Sequence, residues 1–147
     1  MVGFAREEDS QKLVTTMTTV NDPAIVAEVT ELYLKYEEAL CNNNLEVMDS
    51  LFWDAAEVVR FGFAENLYGS DEIRNFRNSR PNPKIEREIS HFQVVTFGKD
   101  AATVTLEFRR MINNIERFGR QSQTWYRFPA GWKVVSAHVS LLQIASK

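Results

Sequence analysis

Apolar residues return at helical spacing early in the chain and at strand spacing late in it. Ile25, Val29, Leu32, Tyr36 and Leu40 recur at intervals of four, three, four and four, which marks one face of an amphipathic helix. Asp22-Pro23 starts that helix, because Asp offers an acceptor to the open N–H groups of the first turn and Pro is pre-set for the first helical position. The run Asn42-Asn43-Asn44 stops it. Asn43 and Glu46 have capping-box spacing, so a short second helix follows, with Leu45, Met48, Leu51 and Phe52 turned inward and Trp53-Asp54 closing the section.

Residues 57–63 read as a strand and Leu67-Tyr68-Gly69 as a brief extended piece. Ser70 caps a third helix to about residue 79, with Asp71 and Glu72 at its positive end and Pro81 and Pro83 beyond it. Four long strands follow at about 85–97, 101–112, 119–128 and 132–143. Gly98-Lys99-Asp100, residues 113–118 and Pro129-Ala130-Gly131 join them. Helices first and an antiparallel meander afterwards predict an α+β fold. Three N-terminal helices then pack on one face of a strongly curved sheet, a cone with one internal cavity. Residues 1–20 lack the dense apolar pattern and read as a flexible arm with a short helix near 7–14; residues 21–147 read as a single domain.

Composition narrows the class. A chain of 147 residues, 44% hydrophobic and 25% charged, supports one core without staples. The formal charge of −3 argues against a nucleic-acid partner. Cys41 is the one cysteine, which excludes an internal disulfide and points to a reduced, cytoplasmic compartment. No apolar run approaches the ~18 residues that a membrane helix needs, so no membrane partner is expected. Phosphate-loop and zinc-hydrolase motifs are missing, and the two histidines, His91 and His138, lie far apart; neither metal nor cofactor is expected.

The candidate chemistry begins at Arg60, set in Val58-Val59-Arg60-Phe61-Gly62-Phe63. An unpaired ion on the dry side of a sheet costs several kcal/mol, so the guanidinium needs a carboxylate, acceptors or a wet cavity. Either it turns outward and pairs with an acidic neighbour, or it serves a pocket for a small carboxylate. Tyr36 lies on the apolar helix stripe, and its hydroxyl must find a partner, whether a backbone carbonyl or a ligand. In the third long strand Gln121, Gln123 and Trp125 share one face, and Arg120, Ser122, Thr124 and Tyr126 the other. In the fourth, Ser136, His138 and Ser140 alternate with Val135, Ala137, Val139 and Leu141; either set can line the interior. A cavity face with Gln121 and Gln123 suits a planar, nitrogen-rich ligand, and a solvated or dimer-facing surface is the other reading.

Several short motifs occur in order: Tyr36-Glu37, Leu51-Phe52-Trp53-Asp54, Val59-Arg60-Phe61-Gly62, Ala64-Glu65-Asn66-Leu67-Tyr68-Gly69, Asp71-Glu72-Ile73-Arg74, Gly119-Arg120-Gln121-Ser122-Gln123-Thr124-Trp125 and Ala137-His138-Val139-Ser140. With them the chain resembles the AtzH-like family (HpxZ-like members included), within the SnoaL-like, nuclear-transport-factor-like group. The resemblance spans about residues 21–142, leaving out the stretch around 110–118. It implies a cystatin-like cone that pairs as a homodimer through its sheet face. It also implies a metal-free, decarboxylating amidohydrolase acting on a small anionic ureido substrate such as 1,3-dicarboxyurea. The family's functional tyrosine and arginine fall on Tyr36 and Arg60. Asn66, Gln121, Gln123, His138, Trp53 and Phe61 are then the candidate substrate-binding residues, with Phe63 and Leu32 as further apolar walls. A non-catalytic ligand-binding or accessory dimer serving an amidase partner in ureide catabolism is the alternative.

Overall fold

Asp22 caps the first helix as its sequence predicts: its Oδ1 accepts from the Ala24 N–H at 3.0 Å, with Pro23 the first helical residue. The computed structural model describes residues 19–81 and 84–143. Its elements are α1 (Pro23–Asn42), α2 (Leu45–Leu51), β1 (Val59–Phe61), β2 (Asn66–Tyr68), α3 (Gly69–Ser79), β3 (Arg87–Phe97), β4 (Ala101–Ile112), β5 (Ile115–Phe128) and β6 (Gly131–Leu141). Asn43 ends α1 in the left-handed region (φ 54°), which a short polar side chain tolerates. Asn44, one residue later than the spacing suggested, caps α2 by accepting from the Val47 N–H at 3.2 Å. Ser70 does not cap α3: its hydroxyl donates to Asp54 at 2.8 Å, while the Glu72 carboxylate reaches back to the Tyr68 N–H at 3.0 Å.

The six strands form one sheet in the order β2-β1-β6-β5-β4-β3. The β1–β6 pair is parallel and every other pair antiparallel. The β4–β5 hairpin is tighter than the expected loop over 113–118. Asn113 and Asn114 both take positive φ, 52° and 64°, and a two-residue turn sets Ile112 opposite Ile115. Bulges at Ser90/Gln93 and Thr124/Trp125 break the two outermost long pairings; such breaks bend a sheet and increase its twist.

The concave face of the sheet and the helices share one core. Ala102, Val104, Leu106 and Phe108 of β4, Trp125 of β5 and Val134 of β6 are all buried, together with Ile25, Val29, Tyr33 and Tyr36 of α1. Burying each large aliphatic or aromatic side chain contributes about 1.5–3 kcal/mol. The buried face of α1 is turned slightly from the expected stripe: Tyr33 is fully buried and Leu32 only half so. Gly119 lets the Phe108 ring cross β5, since a Cβ there would stand 2.2 Å from the ring.

Thr19 and Val20, the described end of the expected arm, are held to the strand edge. The Gly98 N–H donates to the Thr19 carbonyl at 2.8 Å, the Asn21 N–H to the Thr96 carbonyl at 2.9 Å, and the Thr96 N–H to Asn21 Oδ1 at 3.0 Å. The expected helix near 7–14 falls outside the described residues. Among the described residues, no helix is long and apolar enough to cross a membrane.

Candidate functional site

Between α1, α3 and the sheet lies a cavity of about 200 Å³, equal in volume to roughly six or seven waters at ~30 Å³ each. Tyr36 and Arg60 both line it. Strand parity decides the arginine's direction: Arg60 stands beside the buried Ala137 of β6, and its side chain is only 11% exposed. The two readings of Arg60 turn out to hold together. It faces the cavity, and its Nη1 donates to Glu65 Oε1 at 3.0 Å. Glu65 also accepts from the Ala64 N–H at 3.1 Å, so the tight turn after β1 brings its own counter-ion back onto the strand. Gly62 makes room for that carboxylate, because a Cβ there would lie 1.8 Å from Glu65 Oε1.

Three further arginines line the same cavity: Arg80, Arg87 and Arg110. Arg80 follows α3, and its guanidinium carbon and that of Arg60 lie 5.3 and 5.4 Å from the centre of the Phe76 ring. Burial, with Arg60 and Arg77 nearby, pushes Arg80 below the ordinary arginine range. Arg87 opens β3 and is tied from both ends to Glu37 of α1, Nε to Oε2 at 2.7 Å and Nη2 to Oε1 at 2.6 Å. Burial opposes the charge on Arg87, yet the bond to Glu37 and the surrounding groups raise it overall. Burial alone would raise the Glu37 carboxyl; the bonds from Arg87 and Tyr33 outweigh that and hold it below the usual carboxylate range. Arg110 stands opposite Arg87 across the β3–β4 ladder, and burial and the charge on Arg87 lower it.

Tyr33 was missed at the sequence level and is central to the order of the site. Its hydroxyl donates to Glu37 at 2.7 Å and accepts from Gln121 Nε2 at 2.8 Å. Burial, then the neighbouring Glu37, push that phenol well above its usual range, so it serves as a fixed donor. Gln121 is thereby held at both amide atoms, its oxygen accepting from Arg87 at 3.1 Å. Gln123 differs. The Trp125 indole N–H can only donate, so it takes the amide oxygen of Gln123 at 2.9 Å and leaves the NH₂ for the cavity. Tyr36 touches the Tyr33 and Phe52 rings at 5.8 Å each and makes no side-chain hydrogen bond among the described residues. Its phenol is close enough to act electrostatically on both Arg80 and Arg87.

Of the residues singled out from sequence, Tyr36, Arg60, Gln121 and Gln123 come together at the cavity, with Phe63 beside them. Phe61 does not: with Arg60 turned in, its neighbour turns out, against the Tyr68 and His138 rings at 6.0 and 5.8 Å. His138 borders the cavity edge, but Ala137 takes the buried side and the His138 ring is exposed on the outer face. Asn66 is exposed on β2, paired with Phe61. Trp53 stacks on Phe128 at 5.3 Å and is not part of the lining; neither is Leu32. Arg80, Arg87, Arg110, Glu65 and Phe76 were not anticipated. Among the described residues, no three His, Cys, Asp or Glu side chains gather closely enough to hold a metal ion.

No curated protein matches the chain. Among solved structures, the chain is 45% identical to a cystatin-like fold protein from Burkholderia xenovorans, with a TM-score of 0.80 over 86% of this chain and 98% of that one. A protein of unknown function from Pectobacterium atrosepticum is 43% identical, with a TM-score of 0.80 over 84% and 95%. A nuclear transport factor 2-like superfamily protein from Salmonella enterica shares the fold at 20% identity, with a TM-score of 0.70 over 84% and 94%. The cone of helices on a bent sheet is thus the cystatin-like, nuclear-transport-factor-like fold. The sequence model of one family matches residues 18–145, a span that takes in the whole described structure, and the chain belongs to that family, the AtzH-like proteins.

Proposed function

We propose that the protein is an amidohydrolase that removes the carboxylate of a ureido carboxylate such as 1,3-dicarboxyurea. The observation that carries this reading is that Tyr36, whose hydroxyl has no hydrogen-bond partner among the described residues, shares a small cavity with Arg60 and a surplus of positive charge. Arg60, backed by Arg80, grips a ligand carboxylate, and the Gln123 NH₂ donates to the urea carbonyl. The C–N bond to the leaving carboxylate breaks with its electron pair going to nitrogen. Tyr36 supplies the proton that nitrogen takes, carbon dioxide departs, and water returns a proton to the phenol oxygen. Negative charge left on that oxygen faces Arg80 and Arg87, an arrangement that stabilises it without reorganisation.

The test is release of carbon dioxide from ureido mono- and dicarboxylates by purified protein. Arg60→Lys abolishes turnover with the fold intact, because a point charge does not reproduce a planar two-point grip. Tyr36→Phe spares binding and slows turnover by about 10²–10⁴-fold. Full activity in either variant ends the assignment.

A second reading has its own support: among the described residues Tyr36 has no hydrogen-bonded base beside it, which suits a protein that holds a ligand for an amidase partner. Co-elution with an amidase and no turnover of any ureido acid would favour that reading. In both, two copies pair through the outer sheet face, and sedimentation at the mass of two chains is the expected result.

A further inference from the structure

The cavity's charge is arranged as two like pairs, each half-neutralised. Arg60 is paired with Glu65, and its neighbour across the Phe76 ring, Arg80, has neither ion pair nor hydrogen bond among the described residues. Arg87 is paired with Glu37, and its neighbour across the β3–β4 ladder, Arg110, has none either. In both of these arginines Nε is shut off from solvent and has no acceptor among the described residues. An arginine N–H without an acceptor is unfavourable, and this cavity holds two of them, each on an arginine with no carboxylate of its own among the described residues. The pairs come from different elements, the residue after α3 with β1 on one side and β3 with β4 on the other. Tyr36 acts on Arg80 and on Arg87, one member of each pair.

We infer that Arg80 and Arg110 are the charge-reading residues of the cavity, each taking one end of a ligand with two separated anionic groups, so that such ligands are selected over those with a single anionic end. This deepens the anion-site reading above and does not depend on turnover. Glu65 and Glu37 set the count: two carboxylates answer two of the four arginines lining the cavity, and two positive charges remain for the ligand.

A matched pair of stable probes tests it by calorimetry. Glutarate carries a carboxylate at each end of a short chain, and butyrate keeps one. Wild-type protein should bind glutarate roughly ten- to a hundredfold more tightly than butyrate, the span one charge-assisted hydrogen bond supplies. In Arg80→Gln and in Arg110→Gln that ratio should fall towards one, through loss of glutarate affinity. The ligand-free Tm of each variant should hold or rise, because an unpaired cation is being removed; a fall of several degrees assigns that arginine a structural role and overturns its part. Equal wild-type affinity for both probes, no binding of either, or an unchanged ratio in both variants overturns the inference. So does inorganic phosphate binding as tightly as glutarate, since it bears its charge on one compact group. Absent turnover of ureido acids with the glutarate preference intact would remove the hydrolase proposal and leave this one standing.

Discussion

Glu37→Gln is the most revealing change to the frame of the cavity. The Arg87 side chain is 3% exposed and its charge is met by both oxygens of Glu37. Removing one partner of such a buried pair costs about 3–5 kcal/mol, because the remaining ion stays dehydrated. Arg87 keeps the Gln121 oxygen at 3.1 Å and a seat 4.7 Å over the Phe108 ring, which favours the lower end, about 3 kcal/mol. That is a large share of the ~5–15 kcal/mol of an ordinary domain. Urea unfolding at pH 7, followed by the fluorescence of Trp53, Trp125 and Trp132, measures it. The double change Glu37→Leu with Arg87→Met should cost less than Glu37→Gln alone, since no orphan charge remains. The acid limb gives an independent check. The Glu37 carboxyl is held low in the folded state, so its contribution is complete above the unfolded value, near pH ~4.3, and drains away as pH falls through the lower folded value. Wild type and Glu37→Gln should therefore converge at low pH. A loss below about 1 kcal/mol at pH 7, or a gap that persists in acid, would refute the reasoning.

Three smaller predictions follow. Gly62→Ala drives a methyl into the Glu65 carboxylate, which can swing away; turnover should fall at least tenfold on the scale of a misplaced catalytic group, with Tm moved only slightly, as kinetics and a melting curve will show. Gly119→Ala strikes the buried Phe108 ring, which has nowhere to go, and should cost about 1–3 kcal/mol in urea unfolding, with Phe108→Leu recovering part of it. Gln123→Leu leaves the fully buried Trp125 indole N–H without its acceptor, so stability should drop by about 1–3 kcal/mol and affinity for ureido ligands should drop with it.

The start of α1 and the long strands were legible because they rest on local chemistry, such as Asp22-Pro23 at α1 and the alternation of β4; the caps of α2 and α3 were not, because Asn43 and Asn44 offer the same side chain and Ser70 is drawn to Asp54. The face of β5 that lines the cavity was not, because Gln121 and Ser122 are equally uncharged and only helix docking decides between them. Phe61 was misplaced through neglect of the period of two that already governed Arg60. The same period would have found the missing cations. Arg87 sits between Ile85 and Ile89 on one face, and Arg110 continues the inward row Val104, Leu106, Phe108. Both were passed over because Lys84, Glu86, Glu88 and Arg109 make their surroundings look solvated. Tyr33 and Glu37, four apart on α1, likewise form a pair that spacing alone makes visible.

The clasp of Thr19 and Asn21 on the far end of β3 has a practical side. Strand β3 runs 11 residues from Arg87 at the chamber to Phe97 beside the clasp, roughly 35 Å at the usual strand rise. A tether or dye joined upstream of that clasp is therefore anchored at the opposite pole from the arginines. Tagging and surface capture by that route should leave small solutes free to come and go.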